Sequence, residues 1–509
     1  MYHRPLATAA IILATALFLS HLLPLTRQST SSPFSPSTGT TGTGTGGMSP
    51  PTPIEVASRL LAPLNLTVRS ATVLQTLWAG YGHICALEAV PSSPTPSEQD
   101  PVSGSNPGFG SGPSIPLILK LISPPKSVAG REGQDETQDE GHLRKMLSYQ
   151  VEQYFYARLA PHLHPETTPV ARCLASTYGN DASSSFSAAG EGAKDILDGG
   201  AVIATVMEDL RVHFPVAGGK RDVLTPTQVH AALDWLATFH ASSRALYDPQ
   251  QDLPEFLLPP LQEAKRRRQH LTTTTTTTAT TNDEKGKDAV GSRVWLNGGY
   301  TYLSTRLTEY ASLRRDRSSE WSPALTDPSP SLPDDLSPAE AAARVLAPRG
   351  HHARPAESLI HGDVKSENLF SNAAGDRVAF YDFQYVGLGL GVCDLAKLFT
   401  CSVPMQLLLT ESDGLDGDSV PMGEGEKALL RRYRGKLLSP QGGAAEDAYP
   451  WDDFVRHWET ALVDWCRFQA SWGFWGNTEW LEARVRFILA DDSWVQWVKQ
   501  DLLKAGKHT

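Results

Sequence analysis

The sequence has few cysteines and no excess of positive charge, and both features exclude classes of protein. Its 509 residues include 5 cysteines. They are scattered, and none forms a Cys-x-x-Cys pair, so the sequence predicts neither a disulfide framework nor a structural zinc site. The formal net charge is −11 at pH 7, which argues against a nucleic-acid partner because phosphate backbones attract basic surfaces. The unpaired cysteines favour a reducing compartment.

The chain also lacks a regular internal repeat, which excludes a solenoid or a propeller. Apolar residues make up 40% of the sequence and charged residues 20%, a composition typical of globular proteins. A chain of 509 residues exceeds the size at which a single hydrophobic core stops growing. We therefore expect two lobes or domains with additional flexible segments.

The N-terminal region contains one long run almost free of charge. Leu6 to Leu25 is about long enough to cross a bilayer as a helix, which predicts a transmembrane anchor or a signal segment. No clear small-residue cleavage site follows it, so we expect a single-pass membrane protein with its folded part in the cytosol. A cleaved signal or a mitochondrial targeting segment is the alternative. Residues 26–53 are rich in Ser, Thr, Gly and Pro and predict a disordered linker.

The periodicity of apolar residues changes along the chain. Short segments rich in branched residues predict strands at 71–90, 115–122, 170–175 and 201–207. Residues 143–163 have helical spacing, and from Thr225 onward most periodic segments are helical. Four polar stretches predict surface insertions, the last two of them disordered: 92–113, 124–141, 272–288 and 316–338. A small sheet-rich lobe therefore precedes a larger helical lobe.

The strongest functional signal is a pair of motifs, HGDVKSEN from His361 to Asn368 and YDFQ from Tyr381 to Gln384. The turn at 372–376 predicts a hairpin that returns Asp382 beside Asn368. Phosphoryl transfer needs a carboxylate that orients the attacking hydroxyl and oxygen ligands that hold magnesium against the nucleotide phosphates. An Asp followed by an Asn, with a second Asp after the next strand, supplies both.

These motifs, with CDLAKL from Cys393 to Leu398, resemble the protein-kinase-like superfamily. Within it, they resemble the aminoglycoside phosphotransferase and choline/ecdysteroid-kinase-like families. The resemblance implies an α+β, bilobal protein-kinase-like fold with a small antiparallel-sheet N-lobe at 54–215 and a larger helical C-lobe at 216–509. The segment HGDVKSEN corresponds to the catalytic loop of these families. The resemblance also implies roles for five residues: Asp363 as catalytic base, Lys365 near the transferred phosphate, Asn368 and Asp382 as magnesium ligands, and Asp394 as a carboxylate that braces the catalytic loop.

The N-terminal lobe contains the expected nucleotide-binding counterparts. Gly80 and Gly82 lie in a turn between two strands, where glycine permits close backbone approach to phosphates. Lys120 lies inside an apolar strand, and a buried ammonium is costly unless it meets an anion. Glu152 occupies the position from which the family's helix pairs with that lysine. The segment resembling the family's adenine-binding hinge consists of Met207, Glu208, Asp209 and Leu210.

We therefore expect an ATP-dependent phosphotransferase that uses Mg²⁺ and transfers the γ-phosphoryl group to a hydroxyl of a small molecule. Gln384 replaces the glycine of protein kinases, and no APE-like segment follows, which argues against a protein kinase. A catalytically silent pseudokinase that binds a nucleotide or a partner is the alternative. An aromatic helical face near the C-terminus either packs in the core or cradles a cationic or sterol-like acceptor; its members are Trp458, Leu462, Trp465 and Trp472.

Overall fold

A computed structural model describes residues 51–92, 113–124, 140–178, 202–248, 252–276, 293–354, 356–409, 418–439 and 448–505. The hydrophobic segment predicted at 6–25 and most of the predicted linker lie outside these ranges, as do residues 277–288 of the threonine-rich insertion. The first helix, α1 (Pro53–Leu61), begins after Thr52, whose side chain forms a capping box with Glu55.

A five-stranded sheet follows α1, with the strand order β1-β2-β3-β5-β4. Every neighbouring pair is antiparallel, in agreement with the predicted small antiparallel sheet. Apolar side chains of α1 pack against one face of this sheet. The strands are β1 (Leu66–Thr76), β2 (Gly82–Pro91), β3 (Ile115–Ile122), β4 (Cys173–Ser176) and β5 (Ile203–Glu208).

The central strand β3 alternates between the two faces of the sheet. Leu117, Leu119 and Leu121 are buried on the face covered by α1. Successive side chains of a strand point to opposite faces, so Lys120 points away from α1. Its register is fixed on both sides, because β2 pairs with β3 without interruption and β3 pairs with β5.

The opposite face of the sheet is covered by α2 (Glu140–Tyr154). The predicted helix at 143–163 therefore begins slightly earlier than expected and changes character at its end. Residues Phe155–Leu159 form one π-helical turn, a feature that is rare and often found at functional sites. This turn places the Phe155 ring stacked on Phe383, with 3.8 Å between ring centroids.

The rest of the described chain is mainly helical and contains the largest hydrophobic core. Small strand pairs within it support the two motifs: β7 pairs with β10, and β6, β8 and β9 form a three-stranded sheet. These strands are β6 (Val216–Ala217), β7 (Glu357–Ile360), β8 (Leu369–Ser371), β9 (Val378–Phe380) and β10 (Gly387–Leu390). The helices are α3 (Pro226–Ser243), α4 (Pro260–Thr276), α5 (Leu307–Arg315), α6 (Trp321–Thr326), α7 (Pro338–Leu346), α8 (Val392–Ser402), α9 (Met405–Leu408), α10 (Glu424–Leu438), α11 (Trp451–Trp472), α12 (Thr478–Leu489) and α13 (Asp492–Ala505).

Residues 316–338 were predicted to form a disordered insertion, and the structure corrects this. The segment contains α6 and leads into α7. Trp321 and Leu325 on α6 are buried, as are Leu332 and Leu336 after it. These few apolar side chains anchor a polar, Pro- and Ser-rich stretch to the helical core, a long-range contact that its composition does not reveal.

The prediction of a single-pass membrane protein is wrong. Within the described ranges, none of the helices combines the length and the apolar character that a membrane crossing requires. The longest of them, α11, has 22 residues, but charged side chains recur along it, and these would be costly in a lipid core: Asp452, Asp453, Arg456, Glu459, Asp464 and Arg467. Residues 6–25, on which the prediction rested, lie outside the described ranges.

Candidate active site

The hairpin predicted between the two motifs is confirmed. Strands β8 and β9 pair antiparallel, and the turn between them is closed by Asn372 N donating to Arg377 O at 3.0 Å. Gly375 in this turn has a φ of 76°, which glycine adopts without strain. Beyond the strands, Tyr381 N donates to Asn368 O at 3.0 Å. Asp382 therefore follows directly after the residue that pairs with Asn368.

The carboxylate of Asp363 is oriented by two neighbours within its own loop. Nδ2 of Asn368 donates to Asp363 Oδ2 at 3.0 Å and to its main-chain oxygen at 2.8 Å. Nζ of Lys365 lies 3.1 Å from Asp363 Oδ2. Burial by itself lowers the pKa of Lys365, but Asp363, Tyr300 and Glu367 hold that pKa above its usual range. The loop thus presents one carboxylate with a cationic ammonium beside it.

Lys120 connects the five-stranded sheet to the hairpin. Its Nζ lies 2.5 Å from Glu152 Oε2 and 3.2 Å from Asp382 Oδ1. Burial alone lowers the pKa of Lys120, and the two carboxylates outweigh it and hold that pKa above its usual range. The lysine is therefore cationic, as its position inside an apolar strand implied.

Asp382 and Asn368 have the chemistry that magnesium requires. Burial alone raises the pKa of Asp382, but Lys120 outweighs burial and keeps that pKa below its usual range, so the group is a carboxylate. The amide nitrogen of Asn368 is engaged by Asp363, which leaves its Oδ1 as the atom for a cation. Mg²⁺ in kinase-type sites binds through one or two protein groups together with substrate phosphates. The two residues fit a metal that arrives with a nucleotide.

Asp394, at the start of α8, braces the catalytic loop. Its Oδ1 accepts from Gly362 N at 2.9 Å, and its Oδ2 accepts from His361 N at 2.7 Å. His240 Nε2 lies 3.1 Å from the same Oδ2. Burial alone raises the pKa of Asp394, but the hydrogen bond from His240, together with the nearby charge of Lys397, outweighs burial and lowers that pKa. The predicted structural carboxylate therefore fixes the backbone immediately before Asp363.

The glycine turn between β1 and β2 is attached to α2. Gly82 has a φ of 145°, and a Cβ there would lie 2.0 Å from Leu121 O, so only glycine fits beside β3. Gly80 also has a positive φ, of 73°. The hydroxyl of Tyr81 forms a 2.7 Å hydrogen bond with His142 Nδ1, and the Lys145 ammonium lies over the Tyr81 ring, 4.4 Å from its centroid. These contacts hold the turn in place through side chains of α2.

The predicted hinge consists of the last two residues of β5 and the two residues that follow it, and Met207 lines a small pocket that Lys120 and Glu152 also line. The side chains of the next two residues face local partners. Glu208 pairs with Arg172, and Asp209 accepts from Arg211 at the first turn after the strand, which begins with Leu210. Any contact of Glu208 or Asp209 with a base would therefore use the backbone.

Sequence reasoning missed two tyrosines beside Asp363. Burial first, and then the Asp363 carboxylate, raise the pKa of Tyr300, and its ring centroid lies 5.0 Å from that of Tyr385. Tyr300 belongs to a Trp-Leu-Asn-Gly-Gly-Tyr segment, and Tyr385 directly follows Gln384, so their positions in the sequence were a usable signal. Both tyrosines therefore lie close enough to Asp363 for its charge to add to the effect of burial and raise their pKa values.

The aromatic face of α11 divides into two parts. Trp458, Leu462 and Trp465 are buried, so they belong to the core. Trp472 is 58% exposed and stacks on Phe468, with 6.0 Å between centroids. The core-packing alternative therefore applies to the first three residues and not to Trp472.

Comparison with known proteins agrees with this geometry. The family model described as "Phosphotransferase enzyme family" matches residues 142–409, more than half of the chain. No curated protein matches significantly. Similar solved structures include an ethanolamine kinase from Plasmodium vivax, with 11% identity, coverage of 89% of this chain and 86% of that one, and a TM-score of 0.32. An aminoglycoside-3′-phosphotransferase of type VIII has 15% identity, coverage of 78% and 93%, and a TM-score of 0.31.

A choline kinase from Streptococcus pneumoniae is also similar, with 11% identity, coverage of 89% and 98%, and a TM-score of 0.27. Identities and TM-scores at this level say nothing about the substrate of the present chain. The family match, in contrast, contains the helix with Glu152, the HGDVKSEN motif and the YDFQ motif. The chain therefore belongs to the phosphotransferase enzyme family and is a kinase-type enzyme.

Proposed function

We propose that this enzyme transfers the γ-phosphoryl group of ATP, bound with Mg²⁺, to a hydroxyl group of a small molecule. The observation that carries the proposal is the convergence of Lys120, Asp382, Asn368 and Asp363, which come from the sheet, the hairpin and the catalytic loop. Phosphoryl transfer depends mainly on positioning and on charge stabilisation. These four residues supply groups both for positioning and for charge stabilisation.

Asp363 would accept or orient the proton of the attacking hydroxyl. Asp363 is 8% exposed, and its carboxylate is held by Asn368 and Lys365. The orientation of the carboxylate is therefore set before any substrate binds. Lys365 remains cationic beside it and would stabilise negative charge on the transferred group. The magnesium supplies charge neutralisation of the phosphates, and Asn368 and Asp382 would hold it.

Lys120 would bind the nucleotide phosphates, with Glu152 holding its ammonium in place. Gly80 and Gly82 would lie over the phosphates, and the segment from Met207 to Leu210 would accommodate the adenine. The glycine turn is attached to α2 by Tyr81 and His142, the same helix that carries Glu152. The helix α2 would thus position both Lys120 and the glycine turn over the phosphates.

A small-molecule acceptor is favoured over a protein because the chain between Asp382 and α8 is short. β10 begins at Gly387 and α8 at Val392, which leaves no length for a protein-kinase activation segment that would hold a peptide. Aromatic rings are available for a small acceptor instead: Tyr300 lies near Asp363 and contacts Phe468, on which the exposed Trp472 stacks.

The test is ADP release by the full chain with magnesium and ATP against a library of hydroxylated small molecules. Asp363→Asn should lower acceptor-dependent turnover by about 10² to 10⁴-fold while retaining the thermal shift produced by the nucleotide. Asp376→Asn is the matched control, since Asp376 lies in the exposed turn of the same hairpin, where it accepts from Asn372. Turnover in Asp363→Asn within a few-fold of the wild type would refute the assigned role, and a wild type that neither binds ATP nor phosphorylates any acceptor would refute the proposal.

A further inference from the structure

A second cavity lies beneath the catalytic loop. Its empty volume is about 490 Å³, part of which is open to solvent. It is enclosed by the segment 297–302, by helices α7, α8 and α11, and by strands β7 and β10. The polar side chains in its wall that matter here are those of Lys397, Tyr302, Asp464 and Trp465.

Lys397 brings a buried positive charge to this cavity. The residue is 4% exposed, and among the described residues no carboxylate oxygen lies within 4.0 Å of its Nζ. Asp394, one turn earlier on α8, uses both of its oxygens for His240, His361 and Gly362. The charges of Asp394 and Lys397 therefore interact, but without an ion pair within 4.0 Å, and a buried ammonium without a direct partner is costly.

The carboxylate in the cavity wall is also already paired. Asp464 Oδ1 accepts from Arg467 Nη2 at 2.7 Å and from its Nε at 3.2 Å. Arg467 Nη2 additionally donates to Thr301 O at 2.6 Å. Asp464 and Arg467 therefore neutralise each other, and within the described residues Lys397 has no ion pair in the wall.

Further donors around the cavity lack acceptors. Within the described part of the chain, Trp465 Nε1 and Tyr302 Oη, both in the cavity wall, are buried without a hydrogen-bond partner. Buried polar groups in proteins are almost always paired. Water molecules would satisfy the neutral donors, but only an anion would give Lys397 an ion pair.

We propose that this cavity binds a small inorganic anion, with Lys397 as its counter-ion and Trp465 and Tyr302 as hydrogen-bond donors. The site lies next to the catalytic loop. A Cβ at Gly299 would lie 3.1 Å from Lys397 Nζ and 3.5 Å from Gly362 O, so the ammonium is close to the residue that precedes Asp363. Binding of the anion stabilises the loop from beneath, independently of the nucleotide.

The test is thermal unfolding of the full chain at constant ionic strength, with sodium gluconate replaced stepwise by sodium phosphate or sodium chloride. The wild type should gain Tm with at least one of these two anions. Lys397→Met should weaken the apparent anion affinity at least about tenfold, the loss expected for one charge-assisted contact, and should unfold at a higher temperature than the wild type in gluconate. Lys436→Met, at an exposed position on α10, should behave like the wild type.

Two further variants distinguish anion binding in this cavity from anion binding at the nucleotide site. Trp465→Phe removes one donor without changing the charge and should weaken the anion effect. Lys120→Met should retain it, because Lys120 belongs to the nucleotide site. The proposal is overturned if neither anion stabilises the wild type beyond gluconate, if Lys397→Met responds like the wild type, or if Lys120→Met abolishes the effect. None of these measurements requires activity, so the result stands apart from the proposed phosphotransfer.

Discussion

The ammonium of Lys120 bridges Glu152 on α2 and Asp382 after β9, at 2.5 and 3.2 Å. One cation therefore joins three elements that are far apart in sequence. In the absence of a nucleotide it also neutralises the carboxylate proposed to bind magnesium. A bound nucleotide would bring phosphates to the lysine and a metal to Asp382, so both charges would acquire new partners.

Glu152→Gln should lower kcat/KM for ATP by about 10- to 100-fold, which is the effect of losing one hydrogen bond between charged groups. Without the Glu152 charge, Lys120 is drawn toward Asp382 and competes with the metal. The measurement is steady-state kinetics with varied ATP and fixed magnesium. Glu88→Gln, at an exposed position on β2, is the control and should be indistinguishable from the wild type.

The same variant gives a pH test. Burial, and to a smaller extent Asp382, raise the pKa of Glu152 to about 7, although Lys120 acts in the opposite direction. A carboxyl group with this pKa takes up a proton as the pH falls, so wild-type kcat/KM should decline below about pH 7. Glu152→Gln should lack that decline, and an identical pH profile in both proteins would contradict the assignment.

Asp394→Asn should both destabilise the protein and lower kcat. The substitution places an amide NH₂ group where Asp394 accepts from His361, Gly362 and His240. Loss of one charged hydrogen bond costs about 1.5–3 kcal/mol, and the loop before Asp363 loses its anchor. Chemical denaturation and kinetics at saturating ATP measure the two effects.

The control for Asp394→Asn is Asp234→Asn, which removes the partly exposed ion pair with Arg432. Such pairs contribute less than about 1 kcal/mol. If Asp394→Asn matched this control in both stability and kcat, Asp394 would not brace the loop.

Two glycine substitutions should have opposite signs. Gly82→Ala places a Cβ 2.0 Å from Leu121 O at a φ of 145°, so we expect a loss of at least about 2 kcal/mol of unfolding free energy. Gly435 lies inside α10, and a Cβ there meets no atom within 4 Å. Gly435→Ala should therefore add about 0.5–1 kcal/mol. Both values come from urea denaturation, and equal signs would contradict the structure.

His457 should make the fold sensitive to acid. Burial, with Arg354 and Arg349 nearby, lowers its pKa to about 3. Its Nδ1 lies 3.0 Å from the Tyr449 hydroxyl, and its ring packs against Trp497. In the unfolded chain this imidazole has a pKa near about 6.5, so between these values the unfolded state binds a proton that the folded state does not.

Stability should therefore be lost as the pH falls below about 6.5, by up to about 1.4 kcal/mol per pH unit from this group. Tm measured from pH 7 to pH 5 should fall less steeply in His457→Gln than in the wild type. His162→Gln, at an exposed position, should leave the slope unchanged. Parallel curves for the wild type and His457→Gln would refute the prediction.

The sequence predicted the parts of this structure that depend on local signals. A lysine within an apolar strand indicated that its ammonium meets an anion, and Lys120 pairs with the Glu152 carboxylate. The turn residues between Asn372 and Gly375 predicted the hairpin that brings Asp382 next to Asn368. In each case the signal is local, the apolar neighbours of Lys120 or the residues of the turn, although the partners of Lys120 lie far away in the sequence.

The features that could not be predicted depend on contacts between distant segments. The residues of the π-helical turn that stacks Phe155 on Phe383 carry no sequence signal for that conformation. Residues 316–338 have a polar composition, yet Trp321 is buried and donates to Glu482 on α12. Lys397 also gave no signal, because a lysine on a helix is normally exposed, and only the packing of α7 and α11 around α8 buries it.

The pairing of β2 with β3 runs from Gly82 opposite Ile122 to Ala89 opposite Ile115. Every residue of β3 therefore has a partner on β2. The position of Lys120 is thus set by its neighbours in the sheet and by α2, and it does not depend on the length of the connection between Pro91 and Ile115. This makes the connection a suitable place to open the chain: a circular permutant with new ends there, or a reporter domain inserted there, should retain the ion pairs of Lys120.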